Sequence, residues 1–217
     1  HMTTLLMMAQ IERMLRCGPP RDTCFHMLPM TNPDGVTISQ RQQGSELVNA
    51  IYLDDVASGN VKLDRACALR LWKANAVGVD LNRNFNAEWE RVHTRPAPSG
   101  EGYRGPWPQS EPETKALVWY TQKLPLAATI SYHASGSEIY YEFGPNSEVN
   151  EASCSLALAV NKCLCYKLLP NSGVSFGGYK DWAIEKLGIP SLTIEVGLGP
   201  APLDVSEFSR IWRENKN

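Results

Sequence analysis

Two short apolar runs, each stopped by one polar side chain, constrain the fold most. Ala127 to Tyr132 runs into His133, and Ser191 to Ile194 runs into Glu195. Segments of this length and composition read as buried strands. The intervals around them carry helix signals. An amphipathic helix is expected from Thr3 to Arg16, ended by Gly18-Pro19-Pro20. Ser110-Glu111-Pro112-Glu113 opens another, with Ser110 as N-cap and Glu113 completing a capping box, running to about Leu124. Further helices are expected over Glu151–Leu168, over Tyr179–Leu187 with Gly188 closing it, and around Phe208–Trp212. Additional strands are expected at Cys24–Met30, Ala76–Leu81 and Ser137–Phe143, with a turn at Thr31-Asn32-Pro33-Asp34-Gly35. Strands alternating with helices define an α/β domain with helices packed on a sheet. Residues 86–110, rich in proline and glycine, read as a long surface loop of the kind that carries function.

Composition narrows the function. At 217 residues the chain fits one domain spanning 1–217. Hydrophobic residues at 43% and charged residues at 20% exclude intrinsic disorder. The 21 Lys and Arg nearly balance the 23 Asp and Glu, so no basic field exists to hold nucleic acid or an anionic membrane. No apolar run approaches the roughly 20 residues of a membrane span. The Thr3–Leu15 run has no basic segment before it and no small-residue cleavage site after it, so a signal peptide is not expected. The six cysteines match no zinc-finger spacing and are expected to be free, buried thiols, which points to a reducing, cytoplasmic compartment.

Four histidines limit the chemistry. His1 belongs to a His-Met start with the form of a cloning remnant, His93 lies in a polar loop, and His26 sits in an apolar run that suits a core histidine. His133 differs: it ends a buried strand and is followed by the small residues Ala134-Ser135-Gly136, and ligands of open α/β sheets sit beyond the carboxyl ends of strands. Glu195 ends a similar strand. Burial there raises a carboxyl pKa, which suits a general base, although a structural ion pair is the alternative. Arg83, between Asn82 and Asn84, is built to grip a carboxylate bidentately, or alternatively to pair with Asp80. No Gly-x-Ser-x-Gly elbow supports a serine hydrolase, and no cysteine sits in a recognisable His-paired motif.

Five segments in order carry a resemblance: Asn32-Pro33-Asp34-Gly35, Gly78 to Phe85 (Gly-Val-Asp-Leu-Asn-Arg-Asn-Phe), Ser110 to Thr114 (Ser-Glu-Pro-Glu-Thr), Ser131 to Gly136 (Ser-Tyr-His-Ala-Ser-Gly) and Thr193-Ile194-Glu195-Val196. Together they resemble the zinc metallocarboxypeptidase superfamily, peptidase family M14. Trp72-Lys73-Ala74-Asn75 and Gly178-Tyr179-Lys180-Asp181-Trp182 look most like its bacterial branch, which includes γ-D-glutamyl-meso-diaminopimelate peptidases of cell-wall peptides. The resemblance implies a mixed, mostly parallel twisted sheet with helices on both faces. It also implies a peptide substrate with a free carboxyl end. By resemblance His133 is a zinc ligand, Glu195 the general base, and Arg83 with Asn82 the clamp on the terminal carboxylate. Lys73 stands where the digestive branch has a carbonyl-polarising arginine. Lys180 and Asp181 fall in the pocket for the terminal side chain, where they can pair with a zwitterionic diaminopimelate end; the alternative is a pair of solvated helix-start charges. In place of the digestive branch's mobile tyrosine stands Gly173-Val174-Ser175-Phe176-Gly177, to which no role is given.

The departure concerns the metal. The family's other two ligands come from a His-x-x-Glu motif, and none occurs in these 217 residues, which begin with a segment resembling the one after that motif. A catalytic zinc needs three protein ligands plus water. The expectation is therefore a domain lacking its first strands and ligand loop, with zinc weak or absent in this chain. The alternative is a non-catalytic carboxylate-binding member.

Overall fold

The computed structural model describes residues 1–170 and 175–216, so Gly173 and Val174 lie outside the described residues. The elements are α1 (Met2–Cys17), α2 (Pro33–Arg41), α3 (Glu46–Ala57), α4 (Arg65–Arg70), α5 (Pro112–Gln122), β1 (Thr129–His133), β2 (Glu138–Tyr140), α6 (Ser147–Leu164), β3 (Lys167–Leu169), α7 (Tyr179–Leu187), β4 (Ser191–Glu195) and α8 (Phe208–Asn215), with short 3-10 turns at Leu81–Arg83, Trp89–Arg91 and Val205–Glu207.

The strands form one sheet in the order β1-β4-β2-β3. β1 runs parallel to β4 and β2 parallel to β3, while β2 and β4 are antiparallel. Side chains alternate between the faces of a strand. Leu192 and Ile194, with Val196 just beyond β4, join Ile139 of β2 on one face, and all four are fully buried beneath Met2 and Leu6 of α1, Ala157 and Leu164 of α6, and Ile211 of α8. The opposite face carries Thr129 and Ser191, whose hydroxyls bond at 2.7 Å, and further along Glu195. α7 packs over β1 and β4 there, with its own core of Trp182, Ala183 and Ile184 joined by Phe85 and Val118. Helices thus cover both faces of a mixed, mostly parallel sheet. A third cluster, centred on Trp72, Leu69, Ile38 and Val48, joins α2, α3 and α4 to the Trp72–Ala74 segment.

Several local expectations are corrected. Residues 24–30 form no strand, because no described strand lies alongside to complete a hydrogen-bonded ladder; Phe25, Leu28 and Met30 are all more than 40% exposed. His26 is accordingly not a core histidine. Asn32 does not make a free-standing turn but caps α2, its side chain accepting from Gly35 N at 2.9 Å. The Ala76–Leu81 run folds back on itself: Asn75 Oδ1 accepts from Val77 N and Val79 N, and Gly78 takes a left-handed φ of 80°. Ser110 does not cap α5; its hydroxyl donates to Glu111 Oε1 instead. The long helix ends at Leu164, where Cys165 turns left-handed, so residues 167–169 are free to form β3. All six cysteines are free, but five are exposed and Cys154 is half-buried, because they sit on outer helix faces and loops rather than in the three cores.

Candidate active site

The parallel pairing of β1 and β4 sets His133 directly opposite Glu195 at the carboxyl ends of both strands. Val196 N donates to His133 O at 2.8 Å and Gly136 N to Gly197 O at 2.9 Å, so the chains leave the sheet side by side. On the far side of β4, Glu138 stands opposite Glu195. The result is a row of three polar side chains across the sheet. Glu195 Oε2 is buried and has no hydrogen-bond partner. Burial pushes the Glu195 carboxyl up to about 7, the Glu138 carboxylate adds to this, and the Lys73 ammonium opposes it. A carboxyl that trades its proton near neutrality is suited to general acid and base work. Burial also lowers the His133 pKa; Asp80 opposes that shift and Arg83 reinforces it. Glu138 Oε2 accepts from Tyr140 OH at 2.9 Å, and burial together with this carboxylate raises the phenol to about 12.

Arg83 is held by its backbone. Asp80 caps the Leu81–Arg83 turn, its Oδ1 accepting from Asn82 N at 3.2 Å and its Oδ2 from Gly102 N at 3.0 Å. Both carboxylate oxygens thus meet backbone amides, and Arg83 makes no ion pair with Asp80 or any other carboxylate among the described residues. The guanidinium spends Nη1 on Asn82 O at 2.8 Å. Behind it, Gly177 adopts a φ of 73°, and a Cβ there would lie 2.5 Å from Arg83 O. Asn82 Oδ1 accepts from Tyr179 N at 3.1 Å, which ties the turn to the start of α7. Beneath it lies a buried polar network that the sequence reading missed. Asn84 Nδ2 donates to Ser110 Oγ at 2.9 Å, Glu111 N donates to Asn84 Oδ1 at 3.2 Å, and Asn75 Nδ2 donates to Glu111 Oε2 at 2.7 Å. The Ser110–Thr114 segment was legible as a helix start and as one of the resembling motifs, but not as part of this network.

Lys73 Nζ pairs with Glu101 Oε2 at 2.8 Å, with both side chains more than half exposed, and this ammonium holds the Glu101 carboxyl below its ordinary range. Glu101 was not singled out in the sequence. The loop that carries it is anchored by the buried Asp55, whose Oδ2 accepts from Ser99 Oγ at 2.9 Å and Gly100 N at 3.0 Å. Lys180 and Asp181 form a buried pair rather than solvated helix-start charges. Their side chains are 8% and 7% exposed and pair with each other at 2.6 Å, and Lys180 Nζ also donates to Glu142 O at 2.7 Å. The structure therefore gathers His133, Glu195 and Glu138 in one row, places Arg83 and Asn82 on an adjoining turn, and leaves Lys180 and Asp181 in a closed pair.

The described residues do not by themselves complete a catalytic zinc site. Among the described residues no group of three or more His, Cys, Asp and Glu side chains is placed to hold a metal ion. His133 is one candidate ligand, short of the three that such sites use. Nor is any described helix long and apolar enough to cross a membrane.

The profile of the family described as zinc carboxypeptidase, Peptidase M14, matches residues 20–217, and the chain belongs to this family. The chain is 33% identical over 207 residues to γ-D-glutamyl-L-diamino acid endopeptidase 1 of Lysinibacillus sphaericus, covering 93% of this chain and 50% of that protein. It is 30% identical over 192 residues to the uncharacterized protein YqgT of Bacillus subtilis (strain 168), covering 88% and 49%. It thus spans about half the length of these curated relatives. Bovine thrombin-activatable fibrinolysis inhibitor, solved in complex with tick carboxypeptidase inhibitor, shares the fold with a TM-score of 0.72 at 21% identity, covering 98% of this chain and 73% of that one.

Proposed function

We propose that this chain belongs to a peptidase that cleaves beside the carboxyl-terminal residue of cell-wall-derived peptides, at a γ-D-glutamyl-diaminopimelate bond. The observation that carries the reading is the register of β1 and β4, which sets Glu195 opposite His133 with an unpartnered, buried carboxylate oxygen. Arg83, free of any described carboxylate partner, takes the terminal carboxylate of the peptide as a charge-assisted pair. The Asn82 amide stands beside it. Glu195 accepts a proton from the attacking water and returns it to the leaving amine, a role matched by its affinity for protons near neutrality. Lys73, once released from Glu101, offers a cation to the developing oxyanion. Zinc enters this reading through the family alone, and no step is routed through it here. The similarity to the Lysinibacillus endopeptidase supports the diamino-acid substrate class.

A second reading is a chain that grips a peptide carboxylate without hydrolysing it, in keeping with the lack of a three-ligand group among the described residues. One experiment separates the two. A γ-D-glutamyl-meso-diaminopimelate peptide and a Phe-ended peptide are each offered to the chain with zinc, and both binding and release of the terminal residue are followed. Release from the first substrate that falls at least about a hundredfold in Glu195→Gln supports the peptidase. Binding abolished in Arg83→Gln, with no release from either peptide, supports the second reading. Tenfold preference for the Phe-ended peptide defeats the cell-wall assignment.

A further inference from the structure

Away from the sheet end, Cys24, His26 and Tyr120 form a constellation that the proposed function does not use. Cys24 Sγ lies 3.6 Å from His26 Nε2. The other ring nitrogen, His26 Nδ1, lies 2.8 Å from Tyr120 OH, and the two rings meet edge to face with centroids 5.8 Å apart. Cys24 and His26 are exposed, while Tyr120 is half-buried on α5. A nucleophile within reach of a base, with the base oriented by a third group, is the arrangement that activates thiols. In the tautomer that carries its proton on Nδ1, His26 donates to Tyr120 OH and Nε2 is an acceptor that faces the thiol.

We propose that Cys24 is a thiolation site, activated by His26 and Tyr120, that takes a small molecule of the disulfide class. In the reaction His26 Nε2 receives the Cys24 proton, and the thiolate attacks one sulfur of the small disulfide. A new bond forms between Cys24 Sγ and that sulfur while the original sulfur–sulfur bond breaks. The departing thiolate takes the proton from His26, so one disulfide and one thiol are consumed and one of each is produced. The same chain supplies the contrast. Cys67 is equally a surface thiol, but its neighbour is the Asp64 carboxylate, which raises its pKa and so disfavours the thiolate. An imidazole beside one exposed thiol and a carboxylate beside another predict opposite reactivities.

The test reacts the intact chain at neutral pH with a limiting amount of a neutral dipyridyl disulfide, whose leaving thiopyridone is coloured, and locates the modified cysteines by peptide mass mapping. Cys24 is expected to react at least about tenfold faster than Cys17, Cys67, Cys163 and Cys165. His26→Ala and His26→Gln are both expected to bring Cys24 into the range of the other exposed thiols without changing theirs. Tyr120→Phe is expected to slow Cys24 by a smaller factor. Two variants at position 26 guard against a loosened segment, because loosening exposes the thiol further and raises its rate. A Cys24 rate within about twofold of the other exposed cysteines, or one that survives both His26 variants, overturns the proposal.

Discussion

At the scale of single residues, the decisive effect is desolvation. Glu195 carries a buried, unpartnered oxygen, and its carboxyl is raised to about 7. A raised carboxyl pKa means that the folded chain holds a proton which the unfolded chain has already released. Stability contributed by the protonated form is therefore present at low pH and lost as pH climbs through the folded value. Glu195→Gln, which cannot ionise, is expected to gain melting temperature over the parent as pH rises from about 4 to about 8 and to match it at the acid end. Thermal melts across that range check this, and parallel curves for the two chains refute it. Lys180 and Asp181 make a second residue-scale case. Lys180→Met leaves a buried carboxylate without its ammonium and is expected to cost about 3–5 kcal/mol in urea denaturation. Adding Asp181→Leu should recover most of that loss, since the orphaned charge is then gone.

At the scale of elements, the site depends on how the Leu81–Arg83 turn meets α7. Asn82 supplies an acceptor to Tyr179 N at the first turn of that helix, where backbone donors have no intrahelical partner. Asn82→Ala is expected to destabilise the chain by about 1 kcal/mol, the usual worth of such a cap, whereas Asn82→Asp keeps an acceptor and should cost less. Chemical denaturation of the three chains measures the difference. Gly177 is more demanding, because a side chain there both violates its positive φ and collides with Arg83 O. Gly177→Ala is expected to cost more than the roughly 1 kcal/mol of an ordinary glycine replacement and to weaken binding of a peptide carboxylate by displacing Arg83. Unaltered carboxylate affinity in a destabilised Gly177→Ala chain detaches Arg83 from that role. These contacts explain why elements were more legible than their junctions. The helix at Tyr179–Leu187 and its closure by Gly188 could be read directly, because both follow from local periodicity and a left-handed cap. The Ala76–Leu81 run was apolar enough to read as a strand, yet side-chain bonds from Asn75 curl it into a turn, and no local pattern records a bond of that kind.

At the scale of the whole molecule, metal affinity is the sharpest expectation. His133 is the one histidine in the row at the sheet end, and no described group of three ligands surrounds it. The dialysed chain is therefore expected to retain well under one equivalent of zinc, and calorimetric titration should find no tight site. Stoichiometric retention that is lost in His133→Ala shows ligands arranged otherwise than described. What the sequence determined by itself was whatever depends on near neighbours: the α/β alternation, most helices, and the two strands that end in His133 and Glu195. The setting of Arg83 between two amides marked it as a carboxylate grip, and motif order added Asn82 beside it through resemblance. Only the tertiary structure decided which groups share a neighbourhood. It paired Glu138 with Glu195 across β2 and β4, set Glu101 against Lys73, and closed Lys180 onto Asp181. It also left residues 24–30 without a neighbouring strand, so apolar side chains that read as core lie exposed and Cys24 meets His26 at the surface. Burial is a property of what packs against a segment, and strand pairing is a contact between segments distant in sequence, so neither is encoded in a segment's own pattern.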